Sequence, residues 1–79
     1  IQFYYALSLL NDGNAKKAST EFQRLLNTDF EFQPEVYWYY ALTEIKLENF
    51  DKARNILQSS ANKGFKFNAK NRKQLLNKL

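Results

Sequence analysis

Shifting the chain by 35 residues lays Gln2–Ala18, QFYYALSLLNDGNAKKA, over Tyr37–Ala53, YWYYALTEIKLENFDKA. Both copies carry Tyr-Ala at the same place, as Tyr5-Ala6 and Tyr40-Ala41, and a second alanine twelve residues later, Ala18 and Ala53. Four residues further on stands a large apolar side chain, Phe22 or Leu57. A period of this length means one supersecondary unit used twice. Such a unit cannot bury its apolar face alone and has to stack on a neighbour.

Inside each copy the apolar residues recur at helical spacing. From Ile1 to about Asn11, Phe3, Leu7 and Leu10 make one stripe, and Tyr5, Ala6 and Leu9 make the adjoining one. Asn11-Asp12-Gly13-Asn14 is a turn cluster, in which Gly13 can take positive φ and Asn14 can cap the next helix. That helix is predicted over Ala15 to about Leu26, with Ala18, Phe22, Leu25 and Leu26 inward. Asn27–Gln33 reads as the loop between copies, and Pro34 suits a first helical turn, where its missing N–H costs nothing. The second copy predicts helices from Pro34 to Leu47 and from Asp51 to Asn62, with Asn49 and Asp51 supplying turn and capping groups and Gly64 a C-cap. The sequence therefore divides into repeat 1 at 1–33, repeat 2 at 34–67 and a closing helix at 68–79.

The closing stretch NAKNRKQLLNKL, Asn68–Leu79, has Ala69, Arg72, Leu75, Leu76 and Leu79 on one face and Lys70, Lys73, Asn77 and Lys78 on the other. A terminal unit needs a polar outer surface, and an amphipathic helix laid over the last hairpin provides one, with Phe65 and Phe67 anchoring the connection. Charge is split along the chain. Residues 1–51 hold all eight carboxylates against four basic side chains, whereas residues 52–79 hold eight basic side chains and no carboxylate.

Composition removes whole classes of chemistry. Without Cys there is no disulfide, thiolate nucleophile or Cys-based zinc site, and without His the commonest general base and metal ligand is gone. Glu48 and Asp51 fall in a turn open to water and not in a shielded cleft of the kind that acid–base catalysis uses, so an enzyme is not expected and no cofactor is implied. No apolar run approaches 18 residues. The chain opens at Ile1 inside a repeat, as expected of a stretch of a longer protein, and its compartment stays open.

The spacing resembles the tetratricopeptide repeat (TPR), a helix-turn-helix unit of about 34 residues with small residues where its helices cross. Its leading Trp position holds Gln2 or Tyr37, its Leu-Gly pair Tyr5-Ala6 or Tyr40-Ala41, and its later Ala and aromatic Ala18 and Phe22, or Ala53 and Leu57. The sequence departs at the aromatic three residues after the first small position, which is Leu9 or Glu44, and at the turn glycine, kept as Gly13 but replaced by Glu48. Glu44 thus lies on the hairpin-facing stripe. Burying it unpaired would cost several kcal/mol, so it is expected to reach solvent or to pair with Lys52 or Arg54. The resemblance implies an all-α fold of two antiparallel hairpins plus a capping helix, similar in style to the last repeats of bacterial TPR proteins.

It also implies a binding role. In the family the first helices of the hairpins line a concave groove that takes an extended peptide or a helix. The matching floor here is Phe3, Leu7, Leu10, Trp38, Leu42 and Ile45, edged by Tyr4, Asn11, Tyr39 and Lys46. Asn11 and Lys46 alone would be too few for a clamp on a partner's terminal carboxylate, which favours an apolar or helical protein ligand. The same floor can instead pack internally or mediate self-association. The alternative site is the basic end, where Lys63, Lys66, Lys70, Arg72, Lys73 and Lys78 would meet nucleic acid or an anionic membrane surface.

Overall fold

The computed structural model describes residues 2–28 and 32–79, and for Gln2 the backbone only. All regular structure among the described residues is helical: α1 (Gln2–Asn11), α2 (Ala15–Leu26), α3 (Gln33–Lys46), α4 (Phe50–Asn62) and α5 (Ala69–Lys78). Each helix packs on the next in sequence, and α1 also touches α3. The expected α2 has the observed bounds, whereas α3 and α4 each start one residue early and α5 starts one residue late. Positions Ile1 and 29–31, where the start of α1 and part of the inter-repeat loop were expected, lie outside the described residues.

Three turns of one design close the helices. Gly13, Glu48 and Gly64 all sit at positive φ, at 83°, 62° and 75°. Each N–H reaches back to the third residue before it, Leu10, Ile45 or Ala61, while the following N–H, of Asn14, Asn49 or Phe65, reaches Leu9, Glu44 or Ser60. This pair of bonds is the Schellman arrangement, which satisfies carbonyls that a helix end leaves open. The turn at Glu48 therefore repeats the turn at Gly13 without the glycine. Asn14 and Asn49 stand at the N-cap positions of α2 and α4, yet neither side chain makes the capping bond expected of it. Their backbone amides already close the preceding turn, at φ/ψ values outside the extended region that capping side chains use.

The four repeat alanines, Ala6, Ala18, Ala41 and Ala53, have no exposed surface. They allow α1 on α2, and α3 on α4, to approach closely. Around them Phe22, Leu25, Val36, Tyr40, Ile56 and Leu57 form the core. Val36 and Thr43 were not anticipated as buried. They belong to a third stripe of α3, which exists because α3 is wedged between α2 and α4 and is covered over more than half its circumference.

Glu44 sits inside this wedge and is fully buried. Its carboxylate accepts hydrogen bonds from the Ser19 hydroxyl of α2 and from Asn49 Nδ2 at 2.9 Å, and Lys52 Nζ of α4 lies 3.9 Å away. The expectation that it reaches solvent does not hold, and the expected pairing is with Lys52 and not Arg54, which binds Asp51 at 2.8 Å and the Leu79 backbone carbonyl. Tyr40 lies beneath the same ammonium, 5.3 Å from ring centroid to Nζ. A hydrogen bond to Tyr40, followed by the nearby Tyr40 and Glu44 charges, holds the Lys52 pKa above its usual 10.5 against the opposing effect of partial burial. One carboxylate thus ties three helices and a turn.

α5 is an accessory layer. Leu75, Leu76 and Leu79 are half-buried against the core and Lys70, Lys73, Asn77 and Lys78 are exposed, which matches the two faces read from its sequence. Phe65 meets the Tyr37 ring edge-on at 5.5 Å and Phe67 meets Tyr39 at 6.5 Å, so the connection is pinned by aromatics as expected.

Glu48→Gly should stabilise the protein by about 0.5–1 kcal/mol, because a left-handed conformation is costly for a residue with a Cβ; the corresponding rise in Tm is roughly 4 °C. Gly13→Ala should cost about 1 kcal/mol from the backbone alone, since a Cβ there meets nothing within 4 Å. Equal melts for parent and Glu48→Gly would contradict the turn described. In a double-mutant cycle, Ser19→Ala should cost about 1.5–3 kcal/mol beside Glu44 but under about 0.5 kcal/mol in a Glu44→Leu background, where no charge needs the hydroxyl. Equal costs in both backgrounds would show that the Ser19–Glu44 bond contributes nothing.

Candidate binding surface

At about 100° per residue, the buried side chains of α3 fill one continuous arc from Thr43 through Val36, Tyr40 and Glu44 to Ala41. Beyond Ala41 come Ile45, Trp38 and Leu42 in that angular order, all half-buried, followed by the exposed Lys46. An apolar stripe therefore continues past the edge of the core into solvent. Trp38 packs against the core at its base, and Leu42 and Ile45 extend the strip along the helix. Tyr39 lies on the next row, half-buried, with its ring 6.2 Å from Phe3 of α1 and 6.5 Å from Phe67 ahead of α5. The ring row Phe3, Tyr39, Phe67 spans three neighbouring segments and fixes their relative positions on this side.

α1 does not present the same strip. Phe3 and Leu10, expected on an open floor, are buried at 6% and 7% exposure, and only Leu7 is half-open. Phe3 is enclosed by rings from several segments: Tyr39 of α3 at 6.2 Å, Phe22 of α2 at 6.4 Å and Phe32 at 6.2 Å. Tyr4 and Asn11 are exposed at the expected edge. Of the expected floor, Leu7, Trp38, Leu42 and Ile45 are thus half-open, and of its expected edge Tyr4, Asn11 and Lys46 are exposed. Tyr5, expected to pack inside its hairpin, is 52% exposed. Its counterpart Tyr40 is 4% exposed, on the arc of α3 wedged between α2 and α4 with Lys52 over its ring, whereas the described residues leave Tyr5 half open.

The basic end separates into two kinds of residue. Arg72 is structural: its Nη1 donates to the Phe65 carbonyl at 2.7 Å and to Ser60 Oγ at 3.1 Å, joining α5 to the end of α4. Ser60 is buried, so this guanidinium also satisfies a polar group that would otherwise be left inside. Lys63 lies over the Tyr37 ring, 6.0 Å from its centroid. Lys66, Lys70, Lys73 and Lys78 are exposed. No group of three or more Asp or Glu side chains among the described residues could hold a metal ion, and none of the described helices is long and apolar enough to cross a membrane.

This division is testable by substitution. Arg72→Gln should cost about 1–3 kcal/mol and speed amide exchange through α5, because Ser60 and the Phe65 carbonyl lose their charged donor. Lys73→Gln should stay within about 0.5 kcal/mol of the parent. Matching thermal melts for the two variants would remove the distinction between a tethering arginine and solvated lysines. No family model matches the chain, and neither a curated protein nor a solved structure shows significant similarity to it.

Proposed function

We propose that the chain is a TPR-like, non-enzymatic module that holds another protein, taking an apolar peptide or helix along Leu7, Trp38, Leu42 and Ile45. The observation that carries this reading is the position of Trp38, Leu42 and Ile45 directly beside the buried arc of α3, half-open although the helix is otherwise the best covered in the molecule. A helix needs one apolar stripe to pack on its neighbours, and α3 has surplus apolar surface after it has packed on α2 and α4. Trp38 is the anchor, since Trp is enriched among residues whose truncation costs about 2 kcal/mol or more of binding. Lys46 and Asn11 at the edge add polar contacts that would set the direction of a bound segment.

The test is affinity capture from lysate of the source organism, with bound material identified by mass spectrometry. A discrete protein held by the parent should be lost with Leu42→Arg combined with Trp38→Ala, and kept by a variant in which Lys66, Lys70 and Lys73 are Gln. Circular dichroism of the groove variant should still show the parent's helix content. Capture of nucleic acid or anionic lipid, abolished only in the lysine variant and weakened by salt, would move the function to the basic end and overturn this reading.

A further inference from the structure

The two repeats put the same residues in different surroundings, and the difference marks a less covered face of α1. Tyr40 is 4% exposed and its counterpart Tyr5 is 52% exposed. Thr43 and Glu44 are fully buried, whereas Ser8 is exposed and Leu9 half-exposed at the matching positions. Glu44 meets α2, whose Ser19 hydroxyl donates to its carboxylate, and Tyr40 and Thr43 flank it on the same buried arc of α3. The surface of Tyr5, Ser8 and Leu9 therefore corresponds to the part of α3 that α2 meets at Glu44, one period earlier, and no helix among the described residues covers it to the same extent.

We propose that this face of α1 docks an amphipathic helix of the α2 pattern, with one defined change. Where α2 bears Ala18, Phe22, Leu25 and Leu26, the docking helix carries the same small and apolar spacing, because it meets another Tyr-Ala surface of the same shape. Where α2 bears Ser19, it carries an apolar side chain. Ser19 is matched to the Glu44 carboxylate, but α1 has Leu9 there, and a hydroxyl facing Leu9 would lose water without gaining a partner. The partner chemistry thus follows from the one slot at which the two repeats differ in polarity.

Two capped 15-residue peptides test this on the whole chain: Asn14–Thr28 as it stands, and the same peptide with Ser19→Leu. Binding is read by chemical-shift changes in isotope-labelled protein. The Ser19→Leu peptide should shift resonances of Tyr5, Ser8 and Leu9 and bind on the order of tenfold tighter than the unaltered one, the difference expected for burying a Leu instead of an unpaired hydroxyl. Tyr5→Lys in the protein should abolish both interactions and leave its thermal midpoint unchanged, as Tyr5 is half in solvent. Absence of binding by either peptide, binding indifferent to Tyr5→Lys, shifts confined to Trp38 and Leu42, or equal affinity of the two peptides would each overturn the proposal.

Discussion

Close approach of helices at alanine is the constraint on which the rest of the molecule depends. Ala6, Ala18, Ala41 and Ala53 carry no exposed surface, and each pair belongs to one hairpin. A larger side chain at any of them would push a helix outward and separate the aromatics that fill the core, since packed interiors tolerate little added volume. With the helices held close, Phe22 and Leu57, one turn beyond the second alanine, reach complete burial. The spacing from alanine to alanine also sets where the turn must fall, which is why Gly13 and Glu48 take the same left-handed conformation despite their different chemistry.

α3 packs broadly on both α2 and α4, whereas α1 packs on α2 and only touches α3, and this difference in covering accounts for much of what distinguishes the repeats. The middle helix buries Val36, Tyr40, Ala41, Thr43 and Glu44 between its two neighbours, and Glu44 meets Ser19 of one and Lys52 of the other. A helix covered in this way has little use for amphipathicity, and α3 accordingly reads as apolar or uncharged almost all round. α2 and α4, each with one solvent face, carry a single clean stripe. Stability in such an array is nearest-neighbour in character, so a residue's contribution depends on its place in the stack as much as on its identity.

What was legible in the sequence follows the same division. The bounds of α2, the two faces of α5 and the positive-φ role of Gly13 and Gly64 came from local signals that tertiary packing did not override. Tyr5 was misplaced because repeat equivalence says which residues correspond, not which neighbours they have. Val36 and Thr43 were missed because a second packing face is not visible in a pattern that assumes one. The apolar strip at Trp38, Leu42 and Ile45 was legible as surplus hydrophobicity, but its extent on α1 was not, since Phe3 and Leu10 are buried and Phe3 meets Tyr39 of a helix distant in sequence. The partners of Glu44 were half-legible: Lys52 lies two turns on along the chain, while Ser19 comes from the other repeat.

Repeated sequences carry a hazard during folding, because a hairpin can stack in the wrong slot of its own array or in that of another molecule with almost the same apolar contacts. The carboxylate of Glu44 makes that error expensive here. Any stacking that presents α2 to the Leu9 surface separates Ser19 from its acceptor, and leaves a charge inside the second hairpin with one donor fewer. A position where the repeat pattern is broken by a buried acid therefore encodes the order of the units, a kind of information that a perfect repeat cannot hold.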